Sequence, residues 1–149
     1  MAKALIIYGS ETGNTMAAAK MVAQALENKD IQVTVQDVVE STVQDLDQPY
    51  DLYLLGVSTW GAVEDEVQED FKEFYADMAS TSLKGKKMAV FGCGDSGYAN
   101  FCKAVDYVAK RAKEQGAELV ADSLKIDLDP RNSREMIKTW ADQVGSIVV

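Results

Sequence analysis

Three runs of consecutive apolar residues constrain the fold of this chain more than any other feature. They cover residues 4–8, 52–57 and 88–93. Continuous runs of this kind are typical of strands in a parallel sheet that helices cover on both faces. Two other stretches, residues 31–36 and less cleanly 119–126, alternate between apolar and polar residues. Since one face of an alternating strand is less buried, we expect these second and fifth strands at the two edges of the sheet.

Helical patterns lie between the strands and after the last one. The first helix is predicted over residues 14–27, Gly116 is predicted to end the third, and the fourth is predicted to start at Asp129 and Pro130. The apolar residues at helical spacing, which we interpret as core, are Ala18, Met21, Val22, Ala25 and Leu26 in the first helix, Val67, Phe71, Phe74 and Met78 in the second, Phe101, Val105, Val108 and Ala112 in the third, and Ile137, Trp140, Val144 and Ile147 in the fourth.

The alternation of strands and helices runs from end to end without a linker. The sequence therefore predicts one α/β domain over residues 1–149. Central apolar strands and alternating edge strands match a doubly wound, five-stranded parallel sheet of order 2-1-3-4-5, with helices on both faces.

The charge and the absence of histidine exclude several classes of function. The 149 residues carry a net charge of −9 and include no histidine. Nucleic-acid binding needs clustered lysine and arginine, so we expect no nucleic-acid partner. Without histidine the chain lacks the commonest general base, the commonest metal ligand and the usual catalytic triads. The acidic surface favours basic partners, although acidity that serves only solubility explains the charge equally well.

The cysteines and the apolar stretches predict where the protein works. Two cysteines, Cys93 and Cys102, are too few for a disulfide framework and indicate a reducing compartment. No apolar stretch approaches the about 20 residues of a membrane span. The first eight residues have the character of a strand rather than of a signal peptide. We expect a cytoplasmic monomer with no membrane partner and no metal.

The loop after the first strand is rich in hydrogen-bond donors. It reads Gly-Ser-Glu-Thr-Gly-Asn-Thr from Gly9 to Thr15. Such a loop directs backbone N–H groups and the positive end of a helix at an anion. It is shorter than a nucleotide-triphosphate P-loop and lacks the lysine before its last threonine. Neutral donors beside Glu11 suit a single phosphate monoester better than a di- or triphosphate with magnesium. An ordinary capped turn is the alternative.

The loops after the third and fourth strands each contain an aromatic residue. Residues 58–62 include Trp60, and residues 94–102 include Tyr98. A tryptophan at an exposed strand end is costly to leave in water unless it covers something flat and apolar. Ligands of open parallel sheets bind at the carboxyl ends of the strands, where these loops lie. Placed beside a phosphate loop, the two aromatic residues favour an aromatic phosphate ester.

Together the three loops resemble the flavin-binding loops of the flavodoxins. The matching segments are Gly-Ser-Glu-Thr-Gly-Asn-Thr from residue 9, Ser-Thr-Trp-Gly from residue 58 and Phe-Gly-Cys-Gly-Asp-Ser-Gly-Tyr from residue 91. The resemblance covers essentially the whole chain in order and spacing and is nearest to the short-chain flavodoxins of sulfate-reducing bacteria. The span between Gly116 and Pro130 leaves no room for the extra lobe of long-chain members.

This resemblance implies a non-covalently bound FMN. It implies that the phosphate is bound by Ser10, Thr12, Asn14 and Thr15, that Trp60 and Tyr98 flank the isoalloxazine, and that the ring edge meets backbone groups of Gly61, Ala62, Asp95, Asn100 and Cys102. The full set of predicted cofactor-binding residues is Ser10, Glu11, Thr12, Gly13, Asn14, Thr15, Ser58, Thr59, Trp60, Gly61, Ala62, Cys93, Gly94, Asp95, Tyr98, Asn100, Phe101 and Cys102.

The function that the resemblance implies is electron transfer without catalysis. A low-potential carrier would pass single electrons between redox proteins through the semiquinone and hydroquinone couple of FMN. Residues 64–70 hold five acids and no base, which predicts either a docking patch for basic redox proteins at the flavin edge or a solvated helix start. Three positions depart from the family pattern, namely Glu11, Met16 and Ala62. An acidic residue is frequent in the family where this chain has Ala62, so the resemblance does not fix the electrostatic environment of the ring edge.

Two other functions use related folds. A phosphorylation receiver domain needs clustered carboxylates after the first and third strands, where this chain has Tyr8-Gly9-Ser10 and Val57-Ser58-Thr59. A small FMN-dependent reductase needs a substrate or nicotinamide pocket from a longer loop or a partner subunit, and no loop of that length is present. The receiver is a weak candidate, whereas a small reductase activity stays open.

Overall fold

The computed structural model describes residues 1–9, 13–58, 69–97 and 102–149. Strands and helices alternate along these residues, as the apolar runs and helical patterns predict. In chain order the elements are β1 (Lys3–Tyr8), α1 (Asn14–Glu27), β2 (Gln32–Asp37), β3 (Leu52–Gly56), α2 (Lys72–Met78), β4 (Lys87–Gly94), α3 (Lys103–Glu114), β5 (Glu118–Leu119), β6 (Leu124–Asp127) and α4 (Arg134–Gly145).

The strands form one parallel sheet in the order β2-β1-β3-β4-β5, which confirms the predicted order. Every residue of β3 is buried, and so is every residue of β1 after Lys3, because helices cover both faces of the centre. Strand β2 has only partly buried or exposed residues, as expected of an edge. The alternating pattern thus identifies the edge strand correctly.

The fifth position of the sheet differs from the prediction of one strand over residues 119–126. Two short strands occupy it, and both pair with β4, β5 near its start and β6 near its end. Between them the carbonyl oxygen of Asp122 accepts a hydrogen bond of 2.7 Å from the indole Nε1 of Trp140 in α4. Because no strand of the described residues lies beyond this edge, the chain leaves the sheet here without removing hydrogen-bond partners from a neighbouring strand.

The side chains of β1 alternate between the two halves of the core. Ala4, Ile6 and Tyr8 face the cluster formed with α1 and α4, whereas Leu5 and Ile7 face the cluster formed with α2 and α3. The predicted apolar stripes are buried with few exceptions. Met21 is only partly buried, and Val67 and Phe101 lie outside the described residues.

Two predictions about the last helix need correction. Asp129 caps a 3-10 turn over Pro130–Ser133 rather than the α-helix itself, accepting a hydrogen bond of 2.9 Å from the Arg131 N–H. Ile147 was predicted to be core but is 45% exposed, because α4 ends at Gly145 and the helical spacing ends with it.

Gly116 ends α3 as predicted. Its φ of +99° is a left-handed conformation that favours glycine, and the next N–H, of Ala117, bonds back to the Ala112 carbonyl at 3.1 Å. Among the described residues, no helix is long and apolar enough to cross a membrane.

Candidate functional site at the carboxyl edge of the sheet

Three central strands end side by side at one edge of the sheet. The register places Tyr8 beside Gly56 and Gly56 beside Phe91, so the loops that follow β1, β3 and β4 start together. The chain turns to one side from β1 to β2 and to the other from β3 to β4, which makes this edge the point where the winding reverses. Open α/β sheets bind their ligands at such a point.

Backbone hydrogen bonds extend the strand pairing beyond the ends of the strands. Gly9 N–H donates to the Gly56 carbonyl at 2.9 Å, and Val57 N–H donates to the Phe91 carbonyl at 3.0 Å. Gly92 lets β4 approach closely, because a β-carbon there would lie 1.9 Å from the Val57 carbonyl oxygen. The strands beneath the site are therefore tightly spaced.

Helix α1 begins at this edge with an end suited to an anion. Gly13 precedes it in a left-handed conformation, with φ of +89°, and its carbonyl accepts the Ala17 N–H at 2.9 Å. Gly13 has no side chain with which to cap the helix, and the first turn contains no acid. The positive end of the helix dipole is therefore not neutralised by a carboxylate of that turn.

Two buried hydroxyl groups lie beside this helix start. Thr15 and Ser58 are 0% and 5% exposed, and their side-chain oxygens are 2.6 Å apart. The Ser58 hydroxyl is also 3.5 Å from the Gly9 carbonyl oxygen. Thr15 belongs to the first turn of α1 and Ser58 to the loop after β3, 43 positions apart in the chain. Neutral donors at a helix N-terminus match a phosphate monoester.

The thiol of Cys93 packs beneath this pair. Burial raises the pKa of Cys93 to about 11, against the lowering effect of a hydrogen bond with Thr15 and with a small contribution from the Asp129 carboxylate. Cys93 is 4% exposed, so its side chain belongs to the core and any ligand contact would come from its backbone.

Cys102 begins α3 from a left-handed conformation with φ of +52°. Its sulfur lies 3.7 Å from the Gly92 carbonyl oxygen and 3.9 Å from that of Ile126. Burial, and next the neighbouring Cys93, raise the pKa of Cys102 to about 12. Both cysteines are free thiols with buried side chains.

These two thiols make the fold sensitive to alkali. We expect the free energy of unfolding to fall as the pH rises through 9 toward 11, because the unfolded chain ionises thiols that the folded chain keeps protonated. Each thiol contributes at most about 1.4 kcal/mol per pH unit. Urea unfolding from pH 7.5 to 10.5 with a reductant tests this.

The matched control is the double variant Cys93→Ala/Cys102→Ala. Its free energy of unfolding should fall less steeply with pH than that of the wild type. Some fall should remain, because burial and the charges of Asp37 and Glu40 raise the pKa of Tyr8 as well. Equal slopes in the wild type and the double variant would show that the thiols contribute nothing.

The third loop begins at the end of β4 and is held from two directions. Within the loop, Gly97 N–H donates to the Asp95 carboxylate at 2.8 Å. From outside, the Asp127 carboxylate accepts the Ser96 N–H at 2.9 Å and the Ser96 hydroxyl at 2.5 Å. These bonds lower the pKa of Asp127. Asp95 itself is half-buried.

Comparison with known proteins decides the family. The model of the family described as flavodoxin matches residues 6–140. A flavodoxin of Maridesulfovibrio salexigens is 49% identical over 145 residues, covering 97% of this chain and 98% of that protein. A flavodoxin of Nitratidesulfovibrio vulgaris is 43% identical over 144 residues, covering 97% of each. The chain belongs to the flavodoxin family.

A solved flavodoxin structure agrees with this assignment. The oxidised flavodoxin 2 of Bacillus cereus superposes with a TM-score of 0.92 at 36% identity, covering 98% of this chain and 99% of that one. Membership of the flavodoxin family identifies the chain as an FMN-binding electron-transfer protein, and the flavin-dependent reductase is not favoured. The hydroxyl pair and the uncharged helix start fit the phosphate of FMN.

The structure brings part of the predicted flavodoxin site together. Thr15 contacts Ser58 beside the ends of β1 and β3, with Gly13 and Asn14 at the start of the same helix, and Cys93, Gly94, Asp95 and Cys102 lie at the end of β4. The other predicted residues lie outside the described residues and stay predictions, namely Ser10, Glu11, Thr12, Thr59, Trp60, Gly61, Ala62, Tyr98, Asn100 and Phe101.

The sequence interpretation missed Ser96 and Asp127. Asp127 is the last residue of β6, a strand that ends at the same edge as β4. The position of this acid at the carboxyl end of a strand was the signal that could have identified it. The carboxyl ends of all parallel strands lie at the same edge of a sheet. The partner of that acid, 31 positions away, was not evident from the pattern.

Proposed function

We propose that this chain carries single electrons at low potential between redox proteins, using an FMN held by the three loops at the carboxyl edge of the sheet. The observation that carries the proposal is the buried pair of Thr15 and Ser58 beside the uncharged start of α1. FMN supplies the redox chemistry when it is bound, and the chain supplies binding, orientation and electrostatics.

In this proposal each loop has its own task. Thr15 and Ser58 bind the phosphate together with Ser10, Thr12 and Asn14. Trp60 and Tyr98 flank the isoalloxazine and exclude water from its faces. Backbone groups of Gly61, Ala62, Asp95, Asn100 and Cys102 meet the polar edge of the ring, while Cys93, Gly94, Phe101, Glu11, Gly13 and Thr59 complete the lining.

The acidic residues at this edge are the reason to expect a low reduction potential for the second electron taken up by FMN. Asp95 is half-buried in the third loop, Asp127 ends the neighbouring strand β6, and Asp129 caps the 3-10 turn that follows. Added negative charge is unfavourable near fixed carboxylates and in a poorly solvated site. The chain therefore disfavours the anionic, fully reduced cofactor and keeps the second electron easy to release.

The test of the cofactor is direct. The purified protein should contain one FMN per chain, released by denaturation without hydrolysis and identified by mass spectrometry. The flavin-free protein should bind FMN more tightly than riboflavin, which lacks the phosphate. A protein that holds no flavin and takes up none would refute the proposal.

The same acids support docking of basic redox partners. Asp95, Asp127 and Asp129, the exposed Asp70 and the preceding segment 64–69 contribute like charge on a chain of net charge −9. Complementary charge accelerates the encounter of two proteins and is screened by salt. We propose that the partners present basic surfaces at this edge.

Electron transfer to a basic partner should slow as salt is added. We expect the second-order rate constant with a basic cytochrome to fall by about tenfold or more between 10 and 500 mM ionic strength. An uncharged small-molecule oxidant serves as the control, and its rate should change little. A rate with the cytochrome that ignores ionic strength would contradict docking through charge.

We propose a cytoplasmic monomer built as a single domain over residues 1–149. The free thiols of Cys93 and Cys102 suit a reducing compartment, and the two core clusters share one sheet. Sedimentation equilibrium of the flavin-loaded protein tests the oligomeric state, where a mass near 16.3 kDa is expected.

A further inference from the structure

The third loop is joined to the last residue of β6 and to the residue after it by three hydrogen bonds. The Asp127 carboxylate accepts both the N–H and the hydroxyl of Ser96, at 2.9 and 2.5 Å. The next residue, Leu128, donates its N–H to the Gly94 carbonyl at 2.8 Å. We call these four residues the loop clamp. It joins two segments that lie more than 30 positions apart and that both leave the sheet at the site.

The clamp fixes residues 94–97, the first part of the third loop. Asp95 and Gly97 close a short turn within this part through a 2.8 Å hydrogen bond, which sets the shape of the turn but not its direction. Ser96 sits inside that turn, and Asp127 binds it through two separate atoms. A carboxylate that holds both a backbone and a side-chain donor restricts rotation as well as position, and charge-assisted bonds are the stronger kind.

Leu128 supplies an independent sign that this connection matters. Its φ is +57°, a left-handed conformation that residues with a β-carbon adopt reluctantly, and its side chain is 53% exposed. Burial of the leucine therefore does little to offset the backbone strain. The hydrogen bond from the Leu128 N–H to the Gly94 carbonyl continues the β4–β6 ladder by one residue, and the left-handed conformation turns the chain directly after this bond.

We propose that Asp127 is a positioning residue for the isoalloxazine half of the FMN site. It acts through Ser96 and holds the third loop in the orientation that receives the edge of the ring, without touching the phosphate. This inference rests on the proposed function of the site. It gives Asp127 a geometric task that is separate from its negative charge.

The clamp acts on the ring and not on the phosphate. A variant that breaks the clamp should therefore weaken the binding of riboflavin and of FMN by the same factor. We expect Asp127→Ala to weaken the binding of both flavins by about tenfold and Ser96→Ala by about threefold, as for one or two surface hydrogen bonds. The ratio of the two affinities should stay at the wild-type value. The variant Thr15→Val should instead lower FMN affinity alone.

Three variants separate geometry from charge. Ser96→Ala keeps every charge and changes an exposed residue, so it should fold. Asp129→Asn removes the same charge two residues from Asp127 and should leave riboflavin affinity unchanged. The double variant Ser96→Ala/Asp127→Ala should bind riboflavin no more weakly than Asp127→Ala, because the two side chains act through one contact.

The experiment is a titration of the flavin-free variants with riboflavin and with FMN, followed by flavin fluorescence. Riboflavin affinities at the wild-type value in Ser96→Ala and Asp127→Ala would overturn the inference, and so would an equal loss in Asp129→Asn. A wild-type protein that binds neither flavin would refute the proposed function itself. Wild-type binding with unchanged variants would refute only the role of Asp127.

Discussion

Replacing Gly92 with alanine is expected to lower the free energy of unfolding by about 3 kcal/mol or more. The new β-carbon would lie 1.9 Å from the Val57 carbonyl oxygen and 2.5 Å from Cγ2 of Val105. The first of these is a backbone atom next to the hydrogen bond between Val57 N–H and the Phe91 carbonyl, so relief requires β3 and β4 to separate. Urea unfolding of the flavin-free variant measures the loss.

The matched control is Gly97→Ala at the same edge. There the nearest atom to an added β-carbon is a side-chain atom, the Asp95 carboxylate oxygen at 3.0 Å, and the backbone is not left-handed. We expect a change below about 1 kcal/mol. A loss in Gly92→Ala no larger than in Gly97→Ala would contradict the tight spacing of the strands beneath the site.

The second large effect concerns the buried hydroxyl pair. We expect Thr15→Val and Ser58→Ala each to weaken FMN binding by about 10- to 100-fold, the loss of one hydrogen bond to a charged group. Riboflavin binding should hardly change, because it has no phosphate for these hydroxyls. Titration of each flavin-free variant with both flavins separates the two halves of the ligand.

A threonine elsewhere in the chain provides the control for this pair. Thr81 donates its hydroxyl to the Asp77 carbonyl at 3.0 Å, after α2 and before β4 begins. The variant Thr81→Val makes the same chemical change away from the site and should bind both flavins as the wild type does. Equal losses of FMN and riboflavin affinity in Thr15→Val would mean that the pair supports the fold rather than the phosphate.

Local patterns in the sequence predict most of this fold, because parallel central strands and amphipathic helices carry their own periodicity. The runs at residues 4–8, 52–57 and 88–93 became the buried strands, and the alternating residues 31–36 became an edge. The fifth strand was misjudged because its interruption depends on Trp140, which reaches Asp122 from a helix formed later in the chain.

For the site, too, the sequence predicts individual residues but not the contacts between them. The donor-rich loop identifies Thr15, and the position after β3 identifies Ser58, but only the folded chain shows that the two oxygens are 2.6 Å apart. The link from Ser96 to Asp127 was missed, since the pattern places an acid at the end of a strand but does not show which residue it contacts. Side-chain contacts across loops depend on register and backbone direction, which a one-dimensional pattern does not contain.

Stepwise anaerobic reduction of the flavin-loaded protein, followed by its visible spectrum, tests the central claim most directly. We predict two separate one-electron steps, with a long-wavelength absorbance band that rises after the first equivalent and disappears after the second. The second step should lie at a lower potential than that of free FMN. Bleaching in a single two-electron step, with no band between, would contradict a carrier of single electrons.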